Sequence, residues 1–305
     1  MKSTRQAYGE FLVEAGLKNQ DIVVLDADLA EATKTNEFKK VFPQRHFDVG
    51  IAEQDLIGTA CGMALSGKKV FASTFAMFLA GRAYEQVRNT AAYSHVNINL
   101  CATHAGLSVG EDGPTHQCIE DIALMNVIPT MKVLCPADDI ATKKILDLSI
   151  GEEGPKYIRL GRSDVEDVYS LNDNFILGGS HTFGKGKDGT IFAVGQTVAM
   201  ALHAKEILAK ENIDVRVVDL YSIKPVDKAT IIKCAKETQK LVSIEDHSVI
   251  GGIGSIISNV LTEEYPKKLI KIGVEDKFGK SGNYKEVYKL YGITTENIVY
   301  KFKNY

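Results

Sequence analysis

Short apolar runs along the chain alternate with longer stretches in which apolar residues recur at helical spacing. DIVVLDAD (21–28), KKVFAST (68–74), NINLCAT (97–103), MKVLC (131–135) and PKYIRL (155–160) predict strands. They scarcely alternate with polar residues, so they predict strands buried on both faces, as in a parallel sheet. Between them, residues 53–66 predict a helix. Leu56, Ala60, Met63 and Ala64 fall at i, i+4, i+7 and i+8 and make one stripe, and Gly67 stands where helices end. A second helix is predicted through the Phe78–Tyr93 region. A third opens at Pro136–Asp138, with proline near the first turn and acids at the positive helix end.

The alternation lapses over 162–188. That segment is rich in Gly, Asn, Asp and Ser, which predicts a linker with a short hairpin. The pattern then resumes with GTIFAVG, DVRVVDL, KLVSIED and KLIKIGV as strands and helices near 197–211, 227–238 and 253–265. The expectation is an α/β protein of two domains, each a mainly parallel sheet flanked by helices. Residues 1–165 form the first domain, 166–188 the linker and 189–305 the second. GGIGS (251–255) has only part of a dinucleotide fingerprint, so it predicts a tight strand-to-helix turn instead.

Composition removes several classes of function. A net charge of −3, with basic residues scattered, gives no footprint for nucleic acid. No apolar stretch is long enough for a membrane span, and MKSTRQAYGEF lacks the apolar core of a signal peptide. The five cysteines are odd in number and form no C-x-x-C pair, which fits a reducing cytoplasm. Cys101, His104, His116 and Cys118 lie close in sequence, but their spacing matches no zinc pattern.

Three segments carry candidate chemistry, each at the predicted end of a strand, where open α/β sheets bind ligands. HFDVGIAEQ (46–54) delivers Glu53; alone, it reads first as a first-turn acid suited to the helix dipole. FASTFAMF (71–78) sets Phe75 and Phe78 three apart, able to stack on a planar ring or simply to fill the core. THAGLSVGEDGPTHQ (103–117) packs His104, Glu111, Asp112 and His116 into a turn-rich loop between apolar segments, and a buried loop with so many titratable groups needs partners.

In order, TRQAYGEFL, DADLAEATKT, GIAEQ, FASTFAMF, THAGLSVGEDGPTHQ, YIRLGR and EDHSVIGGIGS resemble the C-terminal half of transketolase over nearly the whole chain. The resemblance implies a pyrimidine-binding domain followed by a C-terminal domain, with thiamine diphosphate as cofactor and transfer of a two-carbon ketol unit between sugar phosphates. It implies that Glu53 bonds a ring nitrogen of the aminopyrimidine, favouring the imino tautomer, and works best in an apolar setting. Phe75 and Phe78 would flank that ring, His116 would assist proton transfer, and Asp28 would lie near the cofactor at a subunit interface. Asp112 would recognise a sugar hydroxyl, and Arg5, His104 and Arg162 would bind the distal phosphate.

Two departures shape the expectation. Family members place a phosphate-binding serine after the DAD stretch, whereas LAEATKT has Ala30 and Ala32, with hydroxyls only at Thr33 and Thr35. The family's GDG motif, which holds diphosphate and Mg2+, does not occur in this sequence; GEDG and GKDG are not equivalents. The resemblance is therefore to one subunit of a split transketolase. An N-terminal partner subunit would supply the diphosphate and metal site, and this chain would form a homodimer within a heterotetramer. The alternatives are a half of another thiamine enzyme (deoxyxylulose-phosphate synthase-like or 2-oxoacid dehydrogenase β-like) and a non-catalytic binding module.

Overall fold

The computed structural model describes residues 1–305. The runs Ile22–Asp26, Lys69–Phe75, Ile98–Thr103, Lys132–Leu134 and Lys156–Arg159 are strands, and all are buried apart from the half-buried Lys69 and Lys132. With His46–Asp48 they form one parallel sheet. Its order is Lys132–Leu134, Lys156–Arg159, Ile98–Thr103, Lys69–Phe75, Ile22–Asp26, His46–Asp48. A seventh strand, Ser222–Lys224, arrives from the second half of the chain and pairs antiparallel with Lys132–Leu134. The first sheet is thus closed by a strand that the sequence pattern does not reveal.

The second sheet orders Ile270–Val274, Lys240–Ser248, Gly189–Ala193, Val215–Asp219 and His181–Phe183. The first four are parallel; His181–Phe183 runs antiparallel on the edge. The hairpin expected within 162–188 does not form. Asp164–Val165 pairs with Lys2–Ser3 instead, and His181–Phe183 joins Val215–Asp219. Each of these short strands finds its partner far along the chain, so local sequence cannot show the pairing.

Helices cover both sheets. Glu53–Leu65, Asp139–Gly151, Thr197–Lys210, Lys228–Glu237 and Ile253–Glu264 form where periodicity places them. The buried stripe on the first of these is Leu56, Ile57, Ala60 and Cys61, while Met63 and Ala64 are only half-buried. The Phe78–Tyr93 region is helical but wound wide: Phe78–Arg82 and Val87–Tyr93 take π-type turns on either side of one α turn, Tyr84–Gln86. Such widened turns recur near functional sites. Gly251 has φ +77°, and a Cβ there would stand 2.5 Å from that of Ala123. GGIGS is therefore a tight turn pressed against the first domain. No helix is long and apolar enough to cross a membrane.

Asp138 shows how one side chain sets the joint between sheets. It caps the helix Asp139–Gly151, accepting the Ala141 N–H at 2.8 Å, and its other oxygen accepts the N–H groups of Val168 and Tyr169 at 2.7 and 2.8 Å. Asp138 is fully buried. Asp138→Ala should lower unfolding free energy by about 2 kcal/mol or more, since a cap is lost and buried donors are stranded. Urea denaturation measures this, and a shift below about 0.5 kcal/mol, the surface-substitution range, would contradict it.

Candidate active site

All parallel strands of the first sheet point the same way, so their carboxyl ends share one edge. Asp28 follows Ile22–Asp26, Glu53 follows His46–Asp48, Phe75 ends Lys69–Phe75, His104 follows Ile98–Thr103, and Arg162 follows Lys156–Arg159. Ser3 caps the helix Thr4–Lys18 and places Arg5 in its first turn at the same edge.

Rings form the centre. Phe75 stacks on Phe78 with centroids 5.8 Å apart and planes 14° from parallel. Its other neighbour is His104, stacked at 3.8 Å. His116 meets Phe78 edge-on at 5.5 Å and Phe75 at 6.3 Å. Phe75 and His104 are buried and Phe78 is half-buried. The pile offers an aromatic face to a planar ligand, with an imidazole standing beside it.

Glu53 is 2% exposed at the start of its helix. Its Oε2 accepts from Arg82 Nη1 at 3.0 Å, and the Arg82 guanidinium lies 5.2 Å above the centre of the Phe78 ring. Arg82 itself is 53% exposed, so it can leave without being torn from a core. A buried carboxylate whose sole ionic partner is an exposed cation, beside an aromatic face, fits a cationic or hydrogen-bonding heteroaromatic ring. None of the sequence motifs singles out Arg82. Its one signal is the four-residue step from Phe78, which puts both on one helical face.

Cations gather at the other end. Arg5 Nη1 lies 3.2 Å from His104 Nε2 and donates to the Ala32 carbonyl at 2.9 Å; its buried Nε has no partner. Arg162 donates to the Val109 carbonyl and pairs with Asp112 at 3.3 Å. Burial, reinforced by Arg5 and Arg162, pushes His104 down to about 3, so its ring stays neutral at pH 7. Burial and the proximity of Arg162 also lower Arg5 from its ordinary value. Two cations that already repel one another, with a spare buried donor, make a site for an anion.

The LAEATKT loop offers no hydroxyl there. Thr33 and Thr35 donate to Asp26 Oδ2 at 2.6 and 2.9 Å in the interior, and the Leu29 N–H reaches Oδ1 at 2.6 Å. Burial still wins over these bonds and lifts Asp26 to about 6. Both threonines are therefore committed to folding the loop rather than to a ligand. Asp28 stands apart from the rings and cations. It is exposed, with φ +58°, and its N–H donates to Asp48 Oδ1 at 2.9 Å.

Cys101 and Cys118 do not join His104 and His116 in a metal cluster; no group of three or more His, Cys, Asp or Glu is placed to hold an ion. Both thiols are buried, which raises Cys101 to about 12 and Cys118 above its usual value. A second buried polar group, also unseen in the sequence, joins the two domains behind the site: Asp121, Arg159, Asp246 and His247.

Family models agree with this geometry over most of the chain. Residues 1–167 match "Transketolase, pyrimidine binding domain" and residues 180–298 match "Transketolase, C-terminal domain". A transketolase C-terminal section of Methanocaldococcus jannaschii is 45% identical, covering 97% of this chain and 94% of that protein. A subunit of the apulose-4-phosphate transketolase of Phocaeicola vulgatus is 37% identical over 98% of this chain and 96% of its own length. Rat transketolase is 39% identical over 99% of this chain, but the match spans only 48% of the rat protein. Among solved structures, a split-gene transketolase described as an inactive β4 tetramer superposes with a TM-score of 0.93 at 47% identity, covering 100% of this chain and 98% of that one.

Proposed function

The chain belongs to the transketolase family, and on that premise we propose that it is the C-terminal subunit of a two-chain, thiamine-diphosphate-dependent transketolase. One observation carries the reading: a buried glutamate, an aromatic pile and an imidazole sit together at one sheet edge, beside a separate cluster of cations. Residues 1–165 are then the pyrimidine-binding domain, 166–188 the linker and 189–305 the C-terminal domain.

Thiamine diphosphate, when bound, supplies the nucleophilic carbon that takes up the two-carbon unit. Everything else is work for side chains. Glu53 would hold a proton at the ring nitrogen of the aminopyrimidine, taking the place Arg82 now fills. Phe75 and Phe78 would pack on that ring and keep water from it. His116, with Nδ1 at 2.9 Å from the Thr115 hydroxyl, would move a proton near the reacting carbon. Asp112 would recognise a sugar hydroxyl. Arg5, His104 and Arg162 would hold a terminal phosphate through charge-assisted bonds, the histidine as a neutral partner. Asp28 would approach the cofactor from the subunit interface.

The diphosphate and its Mg2+ would be held by an N-terminal partner subunit, since the sequence carries no GDG motif. The solved neighbour described as an inactive β4 tetramer supports a chain that self-associates yet lacks activity alone. We place two copies as a homodimer within a heterotetramer. Five free, buried thiols support a reducing cytoplasm. A relative named for apulose-4-phosphate supports a phosphorylated sugar as substrate.

The test is reconstitution with the partner subunit, Mg2+ and thiamine diphosphate, followed by a ketol-transfer assay over several donors. Glu53→Gln should lower kcat by roughly 10²–10⁴, the range for a lost acid–base group. Near-normal turnover in the assembled variant would refute the role. Arg162→Ala should raise KM for a phosphorylated ketose and leave an unphosphorylated donor nearly unchanged, because remote binding is removed. Equal loss with both donors would make Arg162 structural.

A further inference from the structure

The loop 103–117 carries Asp112 and His116, yet much of what holds it comes from the other domain. Gly106 has φ +76°, and its N–H donates to the Cys118 carbonyl at 2.8 Å. The next N–H, that of Leu107, donates to Asp246 Oδ1 at 2.9 Å, across 139 residues of sequence. Asp246 is 1% exposed. Its Oδ2 accepts from Gln196 Nε2 at 2.6 Å and from the Tyr288 hydroxyl at 2.7 Å, and its carbonyl accepts from Arg159 Nη2 at 2.8 Å.

The fit is too close for any side chain at Gly106: a Cβ there would stand 2.0 Å from Asp246 Oδ2. The far end of the loop is clasped in the same way. A Cβ on Gly113 would stand 2.1 Å from Ser281 Oγ, and Gln117 Nε2 donates to the Lys280 carbonyl at 2.9 Å. Gly110 and Gly113 also hold positive φ, at +75° and +76°. The loop thus has a special backbone path and a mould made by the C-terminal domain. Asp246 is the buried carboxylate that touches the root of the loop, and Gln196, Tyr288 and Arg159 hold it in place.

We propose that Asp246 is a positioning residue for ketol transfer, acting through the Leu107 N–H to set the loop that presents Asp112 and His116. The inference rests on the functional reading above. It also divides the labour within the EDHS stretch of the C-terminal domain. Glu245 accepts the N–H groups of Ile253 and Gly254 within its own domain, while Asp246, on the opposite face, reaches into the site.

The test uses the reconstituted complex with Asp246→Ala and Asp246→Asn. Alanine strands the Leu107 N–H and loosens the loop, so kcat/KM for a phosphorylated ketose should fall by about 100-fold, the scale of a small misplacement of reacting groups. Cofactor affinity should stay as it is, since Glu53, Phe75 and Phe78 lie on other segments. Asparagine should restore most of the loss, because its amide oxygen still accepts from Leu107 while Tyr288 and Gln196 turn to suit it. Hydrogen exchange at the amides of 106–117 should quicken with alanine, recover with asparagine, and stay unchanged in the strand Lys69–Phe75. Unchanged kcat/KM and unchanged exchange would overturn the proposal. So would parallel loss of cofactor affinity with no rescue by asparagine, the signature of a general folding role. If the alanine variant does not assemble, Tyr288→Phe decides: a smaller fall in kcat/KM at constant cofactor affinity supports the proposal, and no fall overturns it. Absence of ketol transfer by the unaltered complex would instead defeat the functional reading, and exchange in the chain alone would still judge the loop contact.

Discussion

A buried guanidinium must find acceptors inside the protein, and Arg159, 5% exposed, ties three elements together by finding them. Its Nε donates to both oxygens of Asp121, at 2.8 and 3.1 Å, and its Nη2 donates to the Asp246 carbonyl at 2.8 Å. Tyr157 adds a bond to Asp121 at 2.9 Å. Asp121 opens the helix after the site loop, Arg159 ends a strand of the first sheet, and Asp246 lies near the end of one in the second. Stranding either charge would cost about 3–5 kcal/mol, so the pair holds the Asp121 helix to the Arg159 strand, and the bond to the Asp246 carbonyl extends that hold to the second domain. Leu160 to Arg162 follow directly, and the Leu107 N–H at the root of the site loop meets the same Asp246. The joint that holds the domains together is therefore also the back wall of the site.

On the proposed function, what stands in front of that wall is half a site. The aromatic pile, the buried carboxylate and the cation cluster all face one edge, and nothing in the chain covers them as a diphosphate and metal would require. Glu53 copes by borrowing Arg82, whose exposed guanidinium neutralises it and lies over Phe78. The same arginine marks where a cationic ring would be welcome. His104 copes differently: burial, with Arg5 and Arg162 nearby, keeps it neutral, so it adds no charge to the cation cluster.

Much of this was legible in the sequence because parallel strands and their covering helices leave strong local marks. Mostly apolar runs such as IVVLD and NLCAT, and the Leu56–Ala60 stripe, need no partner to be recognised. The helix Thr4–Lys18 left a weaker mark. It contains Gly9 and Gly16, each pressed against a neighbouring segment: a Cβ would stand 2.6 Å from the Lys34 carbonyl in one case and from Phe38 in the other. Its buried residues Ala7, Tyr8, Phe11, Leu12 and Ala15 do recur at helical spacing, but the glycines dilute the stripe and Leu17 is apolar yet exposed. Ser222–Lys224 was hidden because three residues carry no period, and its partner lies some ninety residues earlier. In the site, ordered motifs pointed to Glu53, Phe75, His104, His116 and Arg162 as candidates. They could not deliver Arg82 on Glu53, the commitment of Thr33 and Thr35 to Asp26, or the grip of Asp246 on Leu107, since each depends on which surfaces meet.

On the proposed function, this chain bears the pyrimidine side of a shared cofactor site and nothing that grips the diphosphate. Isothermal calorimetry with thiamine diphosphate and Mg2+, on the purified chain and then on its mixture with the N-terminal subunit, separates the two halves. The chain alone should give no measurable heat of specific binding, and the mixture should give saturable, Mg2+-dependent binding. Tight binding by the chain alone would contradict the division of the site between two subunits.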